Sequence, residues 1–124
     1  MLRIPLQFPS SPARRLVVVV AGLLGAGAAA GSPVDFAREI QPLLASRCYD
    51  CHGPEKAKGG LRLNSLQHAL HGGESGEPAL VAGQSSKSQI IQRITTSEEE
   101  DVMPQKGARL TPAEIDLLRS WIDE

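Results

Sequence analysis

Five consecutive residues, Cys48-Tyr49-Asp50-Cys51-His52, carry the clearest chemistry in the chain. Two thiols three positions apart, followed at once by an imidazole, form the C-x-x-C-H pattern of covalent haem attachment. Each thiol adds to one vinyl group as a thioether, so the two sulfurs must reach neighbouring edges of one macrocycle. The imidazole that follows then lies under the iron and donates a nitrogen as proximal ligand. Cys48 and Cys51 are the only cysteines, so none is left to form a disulfide elsewhere. The alternatives are a thiol–disulfide redox pair and a half zinc site. The first normally sits in a βαβ pattern, which this sequence lacks. The second wants four closed ligands, and His52 is too close to Cys51 for the usual spacing.

A haem held by His52 alone keeps an open iron position. Met103 is the only methionine besides the initiator, and it lies in Val102-Met103-Pro104-Gln105, an irregular stretch between two expected helices. A thioether there is a candidate distal ligand. The rival role is filling a gap in the core, which a polar, proline-bearing loop suits poorly. His68 and His71 are competing ligands, though surface exposure is the commoner fate of such histidines.

These groups must be positioned by short helices. Asp35 is placed to cap a helix bearing Phe36, Ile40, Leu43 and Leu44 on one face. Pro42 interrupts it, so a kink, or a restart near Gln41 with Pro42 in the first turn, is expected. The helix is expected to end in the C-x-x-C-H segment. Leu61 to Leu63 reads as extended. Asn64 or Ser65 caps a brief helix from Leu66 to His71, closed by Gly72-Gly73. Ser85 or Ser86 caps another through Thr95, with Ile90, Ile91 and Ile94 inward. Glu98 to Asp101 reads as a solvated acidic turn. Thr111-Pro112-Ala113-Glu114 combines a capping box with proline at the first helical position. Ile115, Leu118 and Ile122 follow at helical spacing, with Leu117 and Trp121 alongside.

The 124 residues allow one small domain plus a targeting segment. Residues 1–30 contain Arg3, Arg14 and Arg15 and no acidic residue. An apolar run, Leu16 to Leu24, and small residues ending in Ala28-Ala29-Ala30 make this a secretory signal peptide. An uncleaved anchor in the membrane is the alternative, although Leu16 to Ala30 falls short of the roughly twenty residues of a span. Export to the periplasm or beyond agrees with the motif, since haem attachment of this kind occurs outside the cytoplasm. The remaining residues, 31–124, carry ten Lys plus Arg against fourteen Asp plus Glu, a formal −4, which disfavours nucleic acid as a partner. Their aromatics are Phe36, Tyr49 and Trp121 alone. So small and aromatic-poor a domain struggles to bury enough apolar area unaided, and a large flat prosthetic group would complete its core.

The order of these parts resembles class I cytochrome c. More narrowly, Val34-Asp35-Phe36 through Leu44, Cys48 to Gly53, Lys58-Gly59-Gly60-Leu61-Arg62-Leu63, and Met103-Pro104 through Leu110-Thr111-Pro112 to Trp121-Ile122 resemble the planctomycete-type cytochrome c domain. The resemblance implies an all-α fold around one covalent haem c. It implies Cys48 and Cys51 as the attachment points, His52 as proximal ligand and Met103 as distal ligand. It departs at Gln105, where members of the family often carry a second proline. Members usually run on into large further domains, so the partners expected are redox proteins or fused domains of a longer product. The function expected is one-electron transfer rather than catalysis. A thiol–disulfide oxidoreductase and a five-coordinate haem sensor are the alternatives.

Overall fold

The computed structural model describes residues 31–124; the signal-peptide assignment for residues 1–30 lies outside them. Among the described residues five α-helices follow one another: α1 Gln41–Arg47, α2 Tyr49–His52, α3 Leu66–His71, α4 Gln89–Thr95 and α5 Pro112–Asp123. A π-helical turn, Phe36–Ile40, leads into α1, and 3-10 turns lie at Lys58–Gly60 and Ser85–Lys87. Among the described residues there is no strand, only an isolated bridge between His52 and Ala57. The architecture is all-α.

The local signals explain most of these elements. The Asp35 carboxylate accepts from the Arg38 amide at 3.0 Å, which starts the π turn. Pro42 sits in the first turn of α1, where its missing amide is no loss. Ser65 caps α3, and Gly72 ends it at φ 90°, a conformation that side chains resist. At α5 the capping box is complete, with the Glu114 carboxylate accepting from the Thr111 amide at 2.7 Å and the Thr111 hydroxyl accepting from the Glu114 amide at 3.3 Å.

Three expectations need correction. Phe36 is 42 % exposed and lies against the Trp121 ring, centroids 5.4 Å apart, instead of facing the core with Ile40, Leu43 and Leu44. The five-residue π turn rotates it off the α-helical face. The helix at 85–95 is also broken. Ser85–Lys87 is a separate 3-10 turn, and the residue preceding α4 is Ser88. Neither serine acts as a side-chain cap. The Ser85 hydroxyl donates to Asp123 at 2.7 Å, and the buried Ser88 hydroxyl bonds to the Val81 amide and the Gln84 carbonyl. Third, α1 does not run into the motif as one helix. It stops at Arg47, and Cys48 (φ −127°, ψ −35°) breaks the chain before α2.

One core joins these pieces. Ile40, Leu43 and Leu44 meet Leu63, Ala69, Ala79 and Leu80, then Ile90, Ile91 and Ile94 of α4, and Leu118 and Ile122 of α5. Each leucine or isoleucine among them removed from water contributes about 1.5–3 kcal/mol. Polar ties fix the ends. The Val34 amide donates to the Glu124 carboxylate at 2.7 Å, and the Ser85 amide to Asp123 at 2.7 Å. Arg47 pairs with Glu114 at 2.9 Å, joining the end of α1 to the start of α5. Among the described residues, no helix is long and apolar enough to cross a membrane.

Candidate functional site

The break at Cys48 sets the site's geometry. Because α1 ends one residue earlier, Cys48 stands at a corner, while Cys51 and His52 ride on the single turn of α2. The turn is held by donation from the His52 and Cys51 amides to the Cys48 carbonyl, at 2.8 and 3.2 Å. Both thiols are free and half-buried. Cys48 packs against the hydrophobic core beside Tyr49, and burial pushes its thiol up to about 11, opposed only by the charge of neighbouring Arg47. A thiol so placed yields little thiolate near neutral pH, and thiolate is the species that exchanges disulfides. That weighs against the redox-pair alternative.

The chain immediately after the imidazole is gripped on several sides. The His52 carbonyl accepts from the Leu63 amide at 2.8 Å, and the Gly53 amide donates to the Lys56 carbonyl at 2.8 Å. Arg62 closes the grip, one guanidinium nitrogen donating to the Gly53 carbonyl at 3.1 Å and to the Pro54 carbonyl at 2.6 Å. Gly53 is buried, and a Cβ there would overlap the Tyr49 carbonyl oxygen. Glycine is therefore required by close approach, not by an unusual backbone angle. These contacts take up the end of α2, whose carbonyls would otherwise lack partners.

With its backbone held, the His52 ring has one nitrogen, Nδ1, buried without any hydrogen-bond partner. Such an atom is uncommon, because an unsatisfied buried polar group destabilises by about 1–3 kcal/mol. An inward imidazole nitrogen and two free sulfurs on adjoining turns are a donor set that suits a covalently attached haem.

Met103 comes from a distant loop. It is half-buried and packs against the same core as Cys48 and Tyr49. Its amide donates to the Arg93 carbonyl at 2.9 Å, tying the loop to α4. The preceding acidic run is exposed, as its charge implies, yet two of its members are paired, Asp101 with Arg93 and Glu99 with Arg109. His68 and His71 are exposed on α3 and, with Gln67, line a shallow cleft of about 340 Å³. A second cleft, about 420 Å³, lies beside the motif and is lined by Tyr49, Asp50, Pro54, Glu55 and Lys56.

Sequence reasoning missed Arg62, Glu114 and Gln105 as supports of the site. Only Glu114 carried a signal that bore on it, the capping box; its second bond, to Arg47 beside Cys48, is tertiary.

No curated protein and no solved structure matches the chain. One family model does, described as Planctomycete cytochrome C, over residues 48–107. The match opens on the first thiol of the motif and closes just beyond the Met103 loop. Domains of this kind bind haem c covalently, typically act in electron transfer and are typically exported. Residues 48–107, with the Cys48-x-x-Cys51-His52 arrangement at their head, are thus similar to the planctomycete cytochrome c family.

Proposed function

We propose that the protein is an exported monohaem c-type cytochrome that passes single electrons between redox partners. In this reading Cys48 and Cys51 are the attachment points, His52 is the proximal ligand and Met103 the distal one. The observation that carries it is the α2 turn, where two free thiols adjoin an imidazole whose inward nitrogen lacks a protein partner. When bound, the haem supplies a reversible one-electron iron couple.

The chain's own contributions are positional and electrostatic. Leu63 and Arg62 hold the backbone from His52 to Pro54, so the imidazole keeps one orientation across both oxidation states. Rigid ligation keeps structural rearrangement small when an electron arrives or leaves. A methionine sulfur is a weak neutral donor and favours the reduced iron, which raises the potential. The hydrophobic core around Cys48 and Met103 excludes water and disfavours added charge on the metal.

The test is to export the full chain from a host with haem-ligation machinery, then record its visible spectrum and intact mass. A coloured protein heavier by one haem, with no thiol available to a titrating reagent, is the expected result. Pale protein with the bare polypeptide mass and two reactive thiols would sink the proposal in favour of the thiol–disulfide alternative. Rapid carbon monoxide binding to the reduced form, unaltered by Met103→Ala, would replace Met103 with an open position.

A further inference from the structure

We propose that Gln105 is a positioning residue for Met103, locking the loop that presents the sulfur and so limiting how easily another ligand displaces it. The inference rests on Met103 being the distal ligand, as read above. Gln105 is exposed, yet its side-chain amide turns back over Met103 and Pro104. There Nε2 donates to two backbone carbonyls, Val102 and Glu100, each at 3.0 Å.

The loop would otherwise be held mainly from one side. The Met103 amide donates to the Arg93 carbonyl at 2.9 Å, and the Val102 amide to the Glu98 carbonyl at 2.9 Å. Val102 itself is buried, 4 % exposed, which pegs the loop into the core just before the sulfur. The carbonyls of Val102 and Glu100 are left to Gln105. By holding both, one side chain joins the segment before Met103 to the segment after Pro104. Opening the loop enough to withdraw the sulfur breaks both bonds at once.

An exposed glutamine held in one rotamer loses conformational entropy and gives up solvent contacts. Two net hydrogen bonds to the backbone more than offset this, and their loss should raise the population of the open loop about tenfold. An external ligand that needs the loop open then binds more tightly by the same factor.

The experiment titrates the oxidised, haem-loaded full chain with imidazole, followed by the visible spectrum. Wild type is compared with Gln105→Ala, Gln105→Glu and Met103→Ala. Gln105→Glu keeps the size of the side chain and removes its donors. Both Gln105 variants are expected to bind imidazole about tenfold more tightly than wild type, and Met103→Ala more tightly still. Wild-type affinity in either Gln105 variant, with tight binding by Met103→Ala, overturns the role of Gln105 and leaves the distal ligand standing. Wild-type affinity in Met103→Ala overturns both. A purely global effect would lower the unfolding midpoint and leave imidazole affinity unchanged; that result also overturns the proposal.

Discussion

Glu114 offers the sharpest quantitative test of how the site is braced. One carboxylate oxygen takes the Thr111 amide at 2.7 Å and closes the capping box of α5. The other takes Arg47, Nη2 at 2.9 Å and Nε at 3.3 Å. Arg47 is the last residue of α1 and adjoins Cys48, so a single side chain ties the C-terminal helix to the corner of the C-x-x-C-H turn. Removing a helix cap typically destabilises by about 1 kcal/mol. The Arg47–Glu114 pair is only a quarter exposed, and such a pair adds about 0.5–1 kcal/mol. Glu114→Ala should therefore lower stability by about 1.5–2 kcal/mol, or roughly 6–15 °C in Tm for a domain of this size.

The same residue sets a pH dependence. The Thr111 amide first, then the Arg47 guanidinium, hold the Glu114 carboxyl below its usual value. A group whose pKa falls on folding contributes stability that is complete above its unfolded value, about 4.3, and vanishes as pH drops through the lower folded value. Glu114→Gln should flatten that acid limb and leave the neutral plateau lower. Asp123, lowered chiefly by the Ser85 amide and then its hydroxyl, supplies a second such limb that the variant retains. Guanidinium unfolding of the haem-loaded protein between pH 3 and 7, with Arg47→Ala and the double variant, measures both effects. A coupling energy of zero between Arg47 and Glu114, with Glu114→Ala within about 0.3 kcal/mol of wild type, would refute the reasoning.

Two further substitutions probe the backbone that follows His52. Gly53→Ala drives a methyl into the Tyr49 carbonyl, so the backbone after His52 must shift; we expect about 1–3 kcal/mol of destabilisation and an altered visible spectrum. An unchanged spectrum would show that this approach does not steer the imidazole. Arg62→Met leaves the Gly53 and Pro54 carbonyls without their charged donor and should destabilise by about 1–3 kcal/mol. Arg62→Lys should recover only part of this, because a flexible ammonium lacks the guanidinium plane that fixes the direction of the one nitrogen donating to both carbonyls. Full recovery in the lysine variant would mean that charge alone matters.

What could be read from the sequence was local. The Cys48–His52 spacing, the Asp35 and Ser65 caps and the Thr111–Glu114 box each depend on residues within four positions of one another. The helical face of Ile90, Ile91 and Ile94 is equally short-range, and all three are buried. Failures came where a distant partner outbid a neighbour. Ser85 had every local reason to cap a helix, but Asp123, far along the chain, captures both its amide and its hydroxyl. Ser88 is consumed by Val81 and Gln84. Phe36 obeyed a 3.6-residue period that the π turn does not keep. The supports at Arg62 and Gln105 were invisible for a related reason. Both are long polar side chains bonding to backbone carbonyls, and which carbonyl lies within reach depends on how each loop is folded.

The bond between Val34 and Glu124 has a topological consequence. It sews Val34 to Glu124, so the stretch between them is nearly a ring with a single seam. Rings of this kind tolerate being cut and rejoined elsewhere. A permuted chain stitched across that seam by a few glycines and reopened at the exposed Gly76 turn would keep all five helices whole. It would also mean that any neighbour fused before residue 34 and any fused after residue 124 leave from the same pole of the molecule.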